Sequence, residues 1–154
     1  MSDRGRMTPA LRRRLALLGA AALVILAGLS LRAGGYRLGL SFFTVKYGGS
    51  LLWGSMVYLL IAALLPRRGE GRIAGLALAL AVAVEFSRLV HTPGFDAFRL
   101  TTAGALLLGR VFSLWNILAY AIGIGLAAAI DRAFLPGREE ARQSAMTSQG
   151  QRPR

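Results

Sequence analysis

Four apolar segments dominate this chain: residues 15–31 (LALLGAAALVILAGLSL), 48–65 (GGSLLWGSMVYLLIAALL), 73–90 (IAGLALALAVAVEFSRLV) and 114–130 (LWNILAYAIGIGLAAAI). Each approaches the ~20 residues a helix needs to cross the hydrocarbon core of a bilayer, where backbone polar groups must be satisfied within the segment itself. Arginines collect at the two ends and in the short breaks between these runs. The pattern predicts an all-α polytopic membrane protein: a four-helix transmembrane bundle, with a short interfacial or re-entrant segment between the third and fourth helices. Apolar residues make up 55% of the 154 and the mean hydropathy is +0.51, too high for a soluble chain of this size.

The formal net charge of +12 would suggest nucleic acid in a soluble protein. Here the cations flank apolar runs and no nucleic-acid-binding motif is present, so they read as topology signals and contacts to anionic headgroups. With no cysteine, one histidine and few acids, the composition offers no disulfide, no metal set and no cofactor motif. GxSxG, P-loop, HExxH and Rossmann patterns are absent, so catalysis by a familiar motif is unsupported and enzymatic activity stays open.

The chain divides into a basic N-terminal segment (1–14), a four-span membrane domain (15–132) and a polar tail (133–154), expected to be disordered beyond about Pro136. The first run is long for a signal-peptide core and lacks a clear cleavage site, so it reads as a retained helix. Residues 32–46 read as a loop, with Tyr36, Phe42, Phe43 and Tyr47 suited to a headgroup-level aromatic belt. PRRGEGR (66–72) is a tight polar turn. Thr92-Pro93-Gly94 breaks the helix pattern after the third span, and 103–108 is too short to cross. With four crossings, most Lys and Arg residues fall on one side. Only Arg32, Arg37, Lys46, Arg88, Arg99 and Arg110 fall on the other. This predicts cytoplasmic termini, with Glu85, Asp96 and Arg99 toward the outer face. Small residues recur four apart at Ala119/Gly123/Ala127, Ala121/Gly125/Ala129 and Gly75/Ala79/Ala83, each a candidate helix-packing stripe.

Glu85 is the only acid in the four runs, where a carboxylate costs roughly 2.5–3.5 kcal/mol at mid-span. Arg88 follows on nearly the same helix face. The pair reads either as a polar-ligand or proton-relay site, or as an ion pair that lets the helix insert. Asp96 and Arg99, with Thr101 and Thr102, form a second cluster in which Arg99 can grip a phosphate or carboxylate, or simply a solvated surface pair. His91 lies between the two clusters. Asn116 and Tyr120 are placed to meet Glu85 across the bundle. Trp53, Tyr58 and Trp115 read as packing or belt residues.

The stretches KYGGSLLWGSMVY, VEFSRLVHTPGFDAFRLTT and LLLGRVFSLWNILAYAIG, with the four-span layout, resemble a family of small bacterial inner-membrane proteins of unknown function, itself similar to the VanZ-like membrane proteins. The resemblance covers about 15–132. It rests on an acid ending the third span (Glu85), an Asp-x-x-Arg (Asp96, Arg99), a polar residue (Asn116) and a Tyr-x-x-Gly (Tyr120, Gly123). It implies a multi-pass inner-membrane protein with no assigned reaction and a place in the cell envelope. Relatives commonly carry Gln at Arg88, an acid at Ser50 and Asp at Asn116, so three polar positions are altered here.

The functional expectation is an envelope protein in which Glu85, Arg88, Asp96, Arg99, Asn116 and Tyr120 line a polar pocket near the outer leaflet. That pocket would bind a lipid headgroup or a membrane partner, including a second copy of the chain. The alternatives are a membrane enzyme acting on a lipid-linked or phosphate-bearing substrate, with Glu85 or Asp96 as general base, and a small proton-coupled transporter subunit using Glu85 as carrier.

Overall fold

The computed structural model describes residues 8–66, 68–109 and 111–134. The expected disordered tail beyond Pro136 and residues 1–7 of the basic N-terminal segment lie outside these residues. Among the described residues there are six helices and no strand: α1 Pro9–Gly34, α2 Phe42–Leu64, α3 Glu70–Ser87, α4 Pro93–Leu100, α5 Thr102–Leu107 and α6 Leu114–Phe134.

Local chemistry sets where most of them begin. Thr8, Ser41, Thr92 and Thr101 cap α1, α2, α4 and α5, each side chain accepting a backbone N–H of the first turn. Proline follows the cap in α1 and α4, where a missing N–H costs nothing. Thr92-Pro93 therefore starts a helix as well as separating it from the last. The first two long helices extend beyond their apolar runs, because capping and propensity continue a helix past the point where hydropathy stops. The expected 32–46 loop shrinks to residues 35–41, and α1 already includes Arg12 to Arg14.

Among the described residues three helices are long and apolar enough to cross a membrane: Ala10–Gly34, Phe42–Leu64 and Leu114–Ala133. Their outer faces carry large apolar side chains; Leu118, Ile122, Leu126 and Ile130, four apart on α6, are all exposed. Such a surface suggests a membrane protein. α3, expected as a full span over 73–90, is 18 residues and carries Glu70, Arg72 and Glu85. At 1.5 Å per residue it is about 27 Å long, slightly short of a ~30 Å hydrocarbon core.

α2 is the central helix, packed against α1, α3 and α6, and α3 also packs against α6. Among the described residues the α1 backbone approaches no helix other than α2. Gly35 lies against Val45, and Gly28 against Leu52, so α1 and α2 are antiparallel. The pairs Ser50–Asn116 and Tyr58–Asp131 run in the same order, so α2 and α6 are parallel. Their crossing is backbone against backbone. A Cβ on Gly54 would lie 2.7 Å from the Tyr120 carbonyl oxygen, and one on Gly123 would overlap the Leu51 carbonyl oxygen. Ser55 Oγ donates to the Gly123 carbonyl across this contact at 2.9 Å.

Of the three small-residue stripes, Ala119/Gly123/Ala127 is the buried one on α6, and Gly125 and Ala129 are exposed. On α3 the expected stripe is corrected: Gly75, Ala79 and Ala83 are all exposed, and the buried face is Ile73, Ala77, Ala81 and Glu85. The preference goes to the face whose last member, Glu85, has polar partners inside the bundle.

Candidate functional site

The α1–α2 connection, the α3 C-terminus, α4, α5 and the α6 N-terminus gather at one end of the bundle. Glu85 is fully buried there. Its Oε1 accepts from Arg88 Nη1 (2.8 Å), the Ser113 backbone N–H (2.7 Å) and Asn116 Nδ2 (3.0 Å). Its Oε2 accepts from the Tyr120 hydroxyl (2.9 Å) and lies 2.7 Å from Arg88 Nη1. The four acceptor sites of a carboxylate are thus filled. The carboxylate also sits at the α6 N-terminus, where the helix dipole favours negative charge.

Arg88 lies just past the end of α3 and is held as firmly. Nε donates to the Leu108 carbonyl, Nη1 to the Val111 carbonyl at 3.0 Å, and Nη2 to the Tyr120 hydroxyl at 3.0 Å. Gly109, at φ +70°, makes this possible: a Cβ there would stand 2.6 Å from Arg88 Nη2. Ser50 Oγ donates to Asn116 Oδ1 (3.1 Å), and the Trp53 ring packs on Tyr120 with centroids 5.0 Å apart. Glu85, Arg88, Asn116 and Tyr120 therefore form one hydrogen-bonded cluster joining α3 to α6, and Ser50 ties it to α2.

Asp96 and Arg99 stand apart from it. They pair at 3.1 Å on α4. Arg99, however, turns inward, donating to the Ser87 carbonyl and to the Val90 carbonyl at 2.9 Å, and is 4% exposed. It closes the C-terminal end of α3 with a cation, the favourable sign there. Asp96 is half exposed and 3.3 Å from the exposed His91 ring. Trp115 is exposed on the outer face of α6.

Beside the Glu85 cluster lies a cleft of about 720 Å³. One wall comes from α1 and α2 (Val24, Gly28, Leu29, Leu52), the other from α5 (Ala103, Leu106, Leu107). Ser50, Trp53, Arg88, Asn116 and Tyr120 reach its lining, as do Arg32, Tyr36 and Lys46. Glu85, Asp96 and Arg99 do not. Arg32 and Lys46 have no cluster of their own in the sequence, and only the folding of α1 against α2 brings them to the cleft.

A second buried cluster sits at the opposite end. Arg13 Nη2 donates to both oxygens of Asp131, at 2.7 and 2.8 Å, and the Tyr58 hydroxyl donates to Asp131 Oδ2 at 3.0 Å. Asp131 and Tyr58 are almost completely buried. In the sequence Asp131 opens the polar stretch after the last apolar run, and Arg13 belongs to the basic arm, so neither reads as a site. The one signal for the cluster is an acid immediately following an apolar run.

Among the described residues no group of His, Asp and Glu could hold a metal ion. No solved structure matches the chain. Residues 40–124, from the start of α2 to the middle of α6, match a family described as "Protein of unknown function (DUF2809)". That stretch holds the Glu85 cluster, Asp96 and Arg99, and leaves out Arg13 and Asp131. Because the match spans more than half of the 154 residues, the chain belongs to the DUF2809 family.

Proposed function

We propose that this is an integral inner-membrane protein of the bacterial cell envelope that binds a lipid through its headgroup, in the cleft beside the Glu85 cluster. The observation that carries the reading is the cleft itself: apolar walls from α1, α2 and α5, with Arg32, Lys46 and Arg88 among its lining. A volume of about 720 Å³ falls in the range of ligand sites, roughly 300–1,000 Å³. Arg88, Asn116 and Tyr120 belong to the lining, and Glu85 holds these three in place from behind. Asp96 and Arg99 support the site indirectly, by fixing α4 on the end of α3.

In this reading α3 is the fourth crossing helix, its charges near its ends and its buried stripe facing α2 and α6. Both termini are cytoplasmic and the cleft lies toward the outer leaflet, in accord with the distribution of arginines. The filled acceptor sites of Glu85 favour binding over use of that carboxylate as a general base or proton carrier.

Native mass spectrometry of gently purified protein tests the reading. One retained lipid per chain is expected. It should be lost in Gly49→Phe, since Gly49 lines the cleft and a Cβ there would meet no atom within 4 Å, leaving the new ring free to fill the space. Lipid-free protein, or retention unaffected by Gly49→Phe, would contradict it.

A further inference from the structure

We propose that the occupant is an anionic phospholipid, selected by Arg32 and Lys46. This rests on the reading of the cleft as a lipid site and adds the class of lipid. Among the described residues every charged one lining the cleft is positive: Arg32, Lys46 and Arg88. Arg88 is neutralised by Glu85 at 2.7 Å. Arg32 and Lys46 make no ion pair among the described residues. Lys46 Nζ stands over the rings of Phe42 and Tyr47, at 5.5 and 5.1 Å, and Arg32 lies in the last turn of α1. Two uncompensated cations beside an apolar cleft match a phosphate joined to acyl chains. A zwitterionic headgroup would bring an ammonium for which the lining holds no acid.

The cleft also suits access from the bilayer. Its walls, α1 and α5, make no close backbone approach to each other among the described residues, so no helix pair closes it on that side. Trp53 reaches the lining with its ring, while its indole N–H is buried and has no partner among the described residues. A second copy of the chain is a poorer occupant. Of the four described acids, Glu85 and Asp131 are buried in their own clusters, Asp96 is paired with Arg99, and Glu70 lies in the first turn of α3, at the opposite end of that helix from Glu85. A copy would bring little negative charge to Arg32 and Lys46.

The two tryptophans supply the test. Trp115→Phe leaves Trp53, in the cleft, as the only one. The full chain carrying that change is placed in phosphatidylcholine vesicles containing a minor fraction of chain-brominated lipid, a contact quencher of indole. Brominated phosphatidylglycerol should quench Trp53 at roughly thirtyfold lower mole fraction than brominated phosphatidylcholine, the size expected for two cations near a headgroup. Arg32→Gln with Lys46→Gln should remove the difference, and Arg37→Gln, at the same end but outside the lining, should keep it. Equal quenching by both lipids in the parent overturns the charge selection while leaving a lipid in the cleft. Quenching by neither lipid overturns the lipid site itself. Relief of quenching by inorganic phosphate would mark a soluble-anion site and overturn the proposal too.

Discussion

Glu85 and Asp131 solve one problem in the same way. Each is a carboxylate inside an apolar assembly, and each is matched by an arginine and a tyrosine hydroxyl, one cluster at either end. Removing one partner of such a pair leaves the other charge buried and uncompensated, which costs about 3–5 kcal/mol. Glu85→Gln and Asp131→Asn should each destabilise the protein by about that much in a reversible detergent-unfolding measurement. Asp96→Asn should cost less, about 1 kcal/mol, because its carboxylate is 45% exposed and the buried Arg99 keeps its Ser87 and Val90 carbonyl partners. Equal losses at Glu85 and Asp96 would contradict the distinction. Glu85 stands out in the sequence because it interrupts an apolar run. Asp131 does not, because it falls where the sequence turns polar and its partner is 118 positions away. Arg99 reads as a surface ligand in the sequence for a related reason: its carbonyl partners belong to the end of the preceding helix and the turn after it.

At the scale of elements, the contact between α2 and α6 depends on small residues on one face only. Gly123→Leu should destabilise the bundle by about 3 kcal/mol or more, since the new side chain meets the Leu51 backbone. Gly125→Leu should be nearly neutral, because nothing lies within 4 Å of a Cβ there. Both glycines belong to plausible stripes in the sequence. Only the partner helix distinguishes them, so single-sequence periodicity locates the helix and leaves its buried face undecided. Gly109→Ala should weaken the Glu85 cluster from outside it, by straining a left-handed residue and crowding Arg88. Its expected signature is a stability loss that shrinks, to the cost of the left-handed backbone alone, when Arg88→Ala is already present.

For the whole molecule, the helical class and the approximate places of the long helices are legible because long apolar runs, bounded by arginines, mark them directly. The cleft is not, since its cations come from the end of α1 and the start of α2 and its far wall from α5. Among the described residues α1 packs its backbone against α2 alone and is joined to α6 through Arg13 and Asp131. Arg13→Gln should therefore raise the protease or labelling susceptibility of α1 before the rest of the bundle opens. The account as a whole requires α3 to run the full length of the bundle, carrying the Glu85 cluster to the end where α1 joins α2. The chain has no cysteine, so single replacements of Arg37, Gly69 and Asp96 can be labelled in intact cells with a membrane-impermeant maleimide. Cysteines at 37 and 96 should label from outside and the one at 69 only after the membrane is opened. Labelling of position 96 together with 69, and apart from 37, would contradict the account.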